Sequence, residues 1–223
     1  MPESKRQRGE ATREAILQAA EATFAEHGFD GARVDTIAES SGYNKTLIFR
    51  YFGDKLGLYA AVLRRADREW SVLLGRVFLP LLEDESIVSD AHQFREFLRK
   101  TFAFFFDYMV DHPHFTRIIN WEQAEGWQTF ARIASQFEPD DLRQLEAIFS
   151  RAQKAGLLRT NLDIIVMILL IQQICWSSPN AFPMYQMLLA GKNFSPDAIP
   201  KYVRDQIIEF LLAGFIHDPK DHV

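Results

Sequence analysis

The sequence predicts an all-α protein in which a small N-terminal helix-turn-helix domain precedes a larger helical domain. Apolar residues recur at i, i+3 and i+4 through most of the 223 residues, and no segment alternates with the period of a strand. Near the N-terminus, two short amphipathic segments flank a glycine and lie too close together for a hairpin of strands. We predict domain boundaries at residues 1–55 and 56–223.

The first segment of this pair begins at Val34, because Val34, Ile37 and Ala38 share one face of a helix. Gly42 can adopt a positive φ and end that helix. Asn44 can then cap the next helix by accepting a hydrogen bond from one of its first free amides. The spacing therefore predicts helix, short turn, helix.

The second segment is the candidate recognition helix. Ile48, Tyr51 and Phe52 repeat the helical spacing and are expected to be buried. The opposite face would carry Lys45, Thr46, Phe49 and Arg50. Cations beside a bare aromatic ring suit the major groove of DNA. A helical hairpin with a solvated face is the alternative.

The other helices are predicted from the same spacing and from glycine and proline boundaries. They lie at about residues 11–27, 54–80, 91–111, 113–124, 140–155, 162–177, 184–190 and 201–215, with a further segment at 127–137 and an acidic loop at 83–90. The helix from Asp54 is long enough to leave the small domain, so it should link the two. The helix at 162–177 is apolar nearly all round, which predicts burial on more than one side.

The stretch AILQAAEATFAEHGFDGARVDTIAESSGYNKTLIFRYFGDKLGLYAAVL closely resembles the DNA-binding region of the TetR family of bacterial transcriptional repressors. The family pattern falls on Gly42, Asn44, Lys45, Ile48, Tyr51, Phe52 and Lys55. The resemblance implies a ligand-responsive repressor that binds a palindromic operator as a homodimer through its last two long helices. Leu47 and Phe49 depart from the family's usual hydroxyl-bearing residues, which would be expected to bond a phosphate.

We expect DNA contacts from one set of residues in and around the helix pair: Arg33, Thr36, Asn44, Lys45, Thr46, Leu47, Phe49, Arg50 and Lys55. Lys55 also opens a helix whose free amides would point at a phosphate. The net charge of −5 argues against a surface coated for non-specific nucleic-acid binding, so cations should be concentrated locally. An N-terminal cluster of Lys5, Arg6 and Arg8 is either a disordered tail or a groove-binding arm.

The larger domain is predicted to enclose an effector pocket, because a few polar residues interrupt its apolar helices and such groups orient small ligands. The predicted lining is Phe102, Phe105, Asn120, Trp121, Gln123, Phe149, Gln172 and Trp176. The effector should be small and mainly apolar or aromatic. Simple packing of an aromatic helical bundle explains most of these side chains equally well.

An all-α enzyme and a helical adaptor without DNA binding are the rival interpretations. Glu122 and Glu125 are spaced like carboxylate ligands but have no Glu-x-x-His partner. His112 and His114 lack acidic or cysteine partners in a metal-binding pattern, so they are better read as corner residues. We therefore predict no catalytic residue, no metal and no cofactor.

The composition also bears on compartment. The lone Cys175 excludes an intramolecular disulfide and is predicted to be a buried, inert thiol. The N-terminus is charged and lacks the apolar region of a signal peptide. The most apolar run, residues 164–171, is far shorter than the ~20 residues that cross a bilayer. We expect a cytoplasmic protein.

Overall fold

A computed structural model of the chain describes residues 2–83, 90–137, 140–192 and 195–216. Its α-helices are α1 (Pro2–Gly31), α2 (Val34–Ser41), α3 (Lys45–Phe52), α4 (Lys55–Glu83), α5 (Ala91–Asp111), α6 (Pro113–Ala124), α7 (Gln128–Ala131), α8 (Asp140–Lys154), α9 (Ile164–Ser177), α10 (Phe182–Leu189) and α11 (Ile199–Phe215). The described residues form no strand, and an isolated bridge pairs Leu158 with Ile216. The all-α prediction is confirmed.

The chain packs as two compact units. The first contains Met1–Ser71 and Pro113–Glu138, and the second contains Val72–His112 and Pro139–Val223. Because the division falls inside α4, that helix contributes residues to both units. These units describe packing, whereas the functional division at residue 55 remains a prediction.

The core of the first unit joins α1, α2 and α3 to the start of α4. Phe24, Ile37, Ile48 and Tyr59 are almost fully buried in it, and the rings of Phe24 and Tyr59 meet edge to face at 4.9 Å. Helix α6 packs on α1 and adds Ile118 to the same cluster. A helix distant in sequence is therefore part of the helix-turn-helix unit.

Two helices of this unit are longer than the sequence predicted. Helix α1 begins at Pro2 rather than near residue 11, so Arg6 and Arg8 lie on a helix and not in a disordered tail. The i, i+4 pairing of Arg6 with Glu10, at 3.1 Å, favours this extension. Helix α4 continues through Pro80, which removes a backbone hydrogen bond without ending the helix. The side chain of Lys5 and loop residues 84–89 lie outside the description.

The second unit is built around α5, on which α9 and α11 pack. Asp90 caps α5 by accepting from the backbone N–H of Gln93 at 2.7 Å, and Asp163 caps α9 in the same way. A small cluster of Phe106, Ile199 and Val203 joins α5 to α11. The predicted bounds of α5 and α6 are confirmed, because aspartate and proline mark them locally.

Helix α9 is not buried on several sides as predicted. Met167, Ile168, Ile171 and Cys175 form its buried face, whereas three apolar side chains on the opposite face are about half exposed: Val166, Leu169 and Leu170. The helical stretch Ile164–Leu189, which includes α10, is long and apolar enough by composition to cross a membrane, and 28% of its most apolar window is buried. The prediction that the apolar run is too short was therefore wrong on length, because helical structure continues past Ser177.

Candidate nucleic-acid interface and effector site

The turn between α2 and α3 has the geometry that the sequence predicts. Gly42 adopts φ 75° and ψ 14°, a left-handed conformation that glycine enters without steric cost, and ends α2. The side-chain oxygen of Asn44 accepts from the backbone N–H of Leu47 at 2.8 Å and caps α3. Both predictions are confirmed, and they fix where α3 begins.

Helix α3 buries one side chain completely and leaves a polar face exposed. Ile48 is fully buried, whereas Lys45, Thr46 and Arg50 are exposed. Phe49 is half-buried against the core, so it is not the bare aromatic ring that the spacing suggested. The packing of Phe49 reduces the aromatic surface that α3 can present to a groove.

Tyr51 departs from prediction in the opposite direction. It was expected in the core, but its side chain is 39% exposed and its hydroxyl lies beside Gly9 of α1. Ile48 and Phe52 pack into the space that α3 faces, and Tyr51 lies at the edge of that contact. A hydroxyl is therefore available near the end of α3, which Leu47 and Phe49 cannot supply.

The ammonium group of Lys45 has an intramolecular partner. Its Nζ lies 3.1 Å from Oδ1 and 3.2 Å from Oδ2 of Asp35, on α2, and 6.0 Å from the ring centroid of Phe49. The sequence analysis did not identify Asp35, because a separation of ten residues across a turn follows no helical spacing. The pair brings a carboxylate to the candidate DNA surface.

Lys55 is also held within the first unit. Its Nζ donates to the backbone carbonyl of Asp30 at 3.1 Å and lies 4.8 Å from the ring centroid of Phe29. Burial lowers the pKa of Lys55, and the nearby Asp30 carboxylate opposes that shift. The Asp54 carboxylate occupies the first turn of α4 by accepting from the N–H of Gly57 at 2.7 Å. Lys55 thus joins the end of α1 to the start of α4.

All nine predicted DNA-contacting residues lie in the first unit. Six are exposed: Arg33, Thr36, Asn44, Lys45, Thr46 and Arg50. Three are half-buried: Leu47, Phe49 and Lys55. Arg13 of α1, which the sequence analysis did not single out, places its guanidinium 5.5 Å from the ring centroid of Phe52. A cation from α1 therefore lies next to α3.

The predicted effector-lining residues are divided between the two units. Phe102, Phe105, Phe149, Gln172 and Trp176 belong to the second, whereas Asn120, Trp121 and Gln123 belong to the first. The indole of Trp121 donates to the carbonyl of Ala25 at 3.3 Å and lies next to Gly28. The amide of Asn120 donates to the carbonyl of Thr116 at 2.6 Å. Trp121 and Asn120 thus have structural partners within the first unit.

Glu122 is a buried carboxylate that connects three helices of the first unit. It is 1% exposed, accepts from the hydroxyl of Tyr59 at 2.5 Å and from the N–H of Phe130 at 3.0 Å. Burial raises the pKa of Tyr59 well above its usual range, and the bond to Glu122 raises it further. Burial, followed by the charges of Asp30 and Glu122, raises the pKa of Glu125.

These contacts give the Glu122–Glu125 pair a structural explanation rather than a catalytic one. Among the described residues, no three or more histidine, cysteine, aspartate or glutamate side chains are grouped so as to hold a metal ion. Cys175 is buried as predicted, and burial raises the pKa of its thiol to about 12. At that pKa the thiol stays protonated, so its nucleophilicity is low.

A small cleft lies in the second unit between α4 and α8. Its walls are Leu74 and Phe78 of α4 and Gln144, Leu145 and Ile148 of α8. The ring of Phe78 contacts two aromatic rings of α5, with centroid separations of 5.7 Å to Phe97 and 6.3 Å to Phe105. The cleft therefore opens beside an aromatic layer between α4 and α5.

Comparisons with known proteins agree with this architecture. Residues 16–62 match the bacterial regulatory proteins of the tetR family, and residues 95–210 match the tetracyclin repressor-like C-terminal domain. The HTH-type transcriptional repressor NicS of Pseudomonas putida is 28% identical over 176 residues, which span 76% of each chain. The HTH-type transcriptional regulator RutR of Escherichia coli is 47% identical over 60 residues, which span 27% of this chain and 28% of RutR.

Similarity to solved structures extends over nearly the whole chain. The crystal structure of HlyIIR, a hemolysin II transcriptional regulator, aligns with a TM-score of 0.62 at 20% identity, covering 94% of this chain and 99% of that one. This similarity supports the fold. The match to the C-terminal domain alone covers more than half of the 223 residues, and the helix-turn-helix match precedes it in the expected order. The chain belongs to the TetR family of bacterial transcriptional regulators.

Proposed function

We propose that this protein is a cytoplasmic, ligand-responsive repressor that binds a palindromic operator as a homodimer and leaves it when a small, mainly apolar effector binds. The observation that carries the proposal is the exposed polar face of α3, positioned by Gly42 and the Asn44 cap. DNA binding is assigned to residues 1–55, and effector binding and dimerisation to 56–223. The NicS and RutR names support regulation of transcription rather than catalysis.

Arg50 provides the sharpest test of DNA binding because its side chain is exposed near the C-terminal end of α3. Fluorescence anisotropy with DNA from upstream of the protein's own gene should show weaker binding by Arg50→Ala. If Arg50 contacts a phosphate, the salt dependence should fall by about one unit of slope. Lys100→Ala, which removes an exposed cation of α5, serves as the matched control and should bind like the parent. Equal binding by Arg50→Ala and Lys100→Ala would contradict the proposed interface.

We propose that the homodimer forms through α9 and α11. The exposed apolar side chains of these helices support it: Val166, Leu169 and Leu170 on α9, and Phe210, which is 69% exposed, on α11. Contiguous apolar surface of this kind is usually covered by a partner, and a two-fold dimer covers the same patch on both subunits.

Sedimentation of Phe210→Glu tests this interface. A charge placed at a buried dimer contact lacks a counter-charge, so the variant should be monomeric or aggregated. Gln18→Glu introduces the same charge at an exposed position of α1 and should remain dimeric. A well-folded Phe210→Glu dimer would place the interface elsewhere.

The proposed response to effector depends on α4, whose residues belong to both packing units. An effector that binds the second unit and contacts α4 can change how the operator is held at the start of the same helix. A typical coupling of ~1–3 kcal/mol weakens operator binding by about 5- to 150-fold, and operator weakens effector binding by the same factor. Calorimetric titration of an effector with and without operator measures both sides of this reciprocity.

A further inference from the structure

Thr101 of α5 has an unusual environment for a helical hydroxyl. It is 2% exposed, and its Oγ1 has no hydrogen-bond partner within the described part of the chain. Other helical hydroxyls in this protein donate to the carbonyl four residues earlier: Thr23 to Ala19 at 2.8 Å, and Ser178 to Ile174 at 2.5 Å. Thr101 therefore keeps a buried hydrogen-bonding group unused.

The helical spacing shows which side of α5 carries this hydroxyl. Thr101 lies four residues after Phe97 and four before Phe105, so the three side chains share one face. Both flanking rings contact Phe78 of α4, which means that Thr101 lies on the side of α5 facing Phe78. Phe78 is also a wall of the cleft between α4 and α8. All of these residues belong to the second unit.

We propose that this cleft is the effector site and that the Thr101 hydroxyl binds the single polar group of the effector. This inference rests on the proposed ligand-responsive function and adds the chemical class of the ligand. The cleft walls contain no ionisable side chain, and Gln144 at the exposed edge is their only polar residue. A charged ligand would enter without a counter-charge, so the effector is neutral.

The size of the cleft further restricts the ligand. Its empty space is about 230 Å³, including the part open to solvent. This is below the ~300 Å³ at which pockets for drug-sized ligands begin. Because a threonine hydroxyl can donate or accept, a phenol, a carbonyl compound and an aromatic N–H share the required chemistry. The structure therefore points to a single-ring or similarly small apolar molecule with one hydrogen-bonding group.

The test compares two probes that differ by one hydroxyl, 4-fluorophenol and fluorobenzene, titrated into the full-length protein by 19F NMR. The parent should bind 4-fluorophenol about tenfold more tightly, the difference expected for one buried hydrogen bond. Thr101→Val keeps the side-chain shape and removes the hydroxyl, so its two affinities should become nearly equal. Thr101→Ser restores a hydroxyl and should restore part of the preference.

Two further measurements locate the site and check the fold. Leu145→Trp, which fills the cleft, should weaken binding of both probes. Thr101→Val should unfold at a temperature equal to or above that of the parent, because an apolar group of the same shape replaces an unpaired buried hydroxyl. The proposal is overturned if neither probe binds the parent at millimolar concentration, or if Thr101→Val keeps the full preference.

Operator binding, measured by anisotropy on the same samples, separates this inference from the function on which it rests. Operator binding by a dimer that ignores both probes would overturn the effector class and leave the repressor function standing. A Thr101-dependent preference in a protein that binds no operator would support the ligand site and contradict the repressor function.

Discussion

Removing the hydroxyl of Tyr59 tests whether the buried Tyr59–Glu122 contact holds α6 to the helix-turn-helix unit. In Tyr59→Phe, the Glu122 oxygen that accepts at 2.5 Å loses its donor at a position from which water is excluded. An unsatisfied buried polar group costs about 1–3 kcal/mol. For a chain of this size, each 1 kcal/mol corresponds to about 2–4 °C, so the melting temperature should fall by ~2–12 °C.

The pH dependence of this effect has a definite sign. Burial, and secondarily the bond to Glu122, raises the pKa of Tyr59 above the unfolded value of 10.0. The native state therefore holds its proton more tightly, and the resulting stability is complete below pH 10 and is lost as the pH rises further. The loss is about 1.4 kcal/mol for each pH unit above 10. Tyr59→Phe lacks this proton, so its difference from the parent should shrink at pH 11.

The assay is urea unfolding at pH 8 and pH 11 at one fixed protein concentration, because dimerisation would otherwise change the apparent stability. Tyr51→Phe is the matched control, since it removes a hydroxyl from an exposed tyrosine of the same unit and should change stability little. A Tyr59→Phe protein as stable as the parent at pH 8 would refute the reasoning. So would a difference that stays constant up to pH 11.

Three further predictions concern the same unit. Burial raises the pKa of Glu125, so Glu125→Gln should be more stable than the parent at pH 7; the urea midpoints should converge as the pH falls below 4.5, and parallel curves would contradict this. Gly28 has φ 67° and ψ −178°, and an added Cβ would lie 3.0 Å from Trp121. Gly28→Ala should therefore lose at least ~1–3 kcal/mol in thermal unfolding, whereas an unchanged melting temperature would show that the site relaxes. Asp35→Asn releases Lys45 for a phosphate and should raise the salt slope of DNA binding by about one unit, for operator and scrambled DNA alike; an unchanged slope would remove Lys45 from the phosphate contacts.

Features of the fold that depend on neighbouring residues could be predicted from the sequence. Gly42 and Asn44 fix the turn of the helix pair through one backbone angle and one side-chain bond, both of which act within three residues. Asp90 and Pro113 mark helix starts for similarly local reasons. The order and bounds of these helices follow from such signals, which is why they agree closely with the structure.

Features that depend on distant partners could not be predicted in this way. The helical spacing assigned Tyr51 to the core and Trp121 to an effector pocket, but Tyr51 lies beside Gly9, and Trp121 bonds Ala25. The packing of α6 on α1 decides the position of Trp121, and no period within either helix encodes it. The same limit applies to Asp35, whose partner Lys45 lies across the turn.

Glu122 and Thr101 show why polar residues inside apolar helices were difficult to interpret. Each interrupts an apolar face, and either could have been a ligand contact on sequence grounds. Glu122 accepts bonds from Tyr59 and Phe130, so neighbouring helices satisfy it and its role is structural. Thr101 has no such partner in the described residues and faces the cleft side of α5. Because a buried hydrogen-bonding group costs free energy when it is left unpaired, a ligand that pairs with Thr101 gains affinity that it could not gain at Glu122. The completeness of hydrogen bonding around each group, which requires the tertiary structure, therefore distinguishes a structural polar residue from a candidate binding residue.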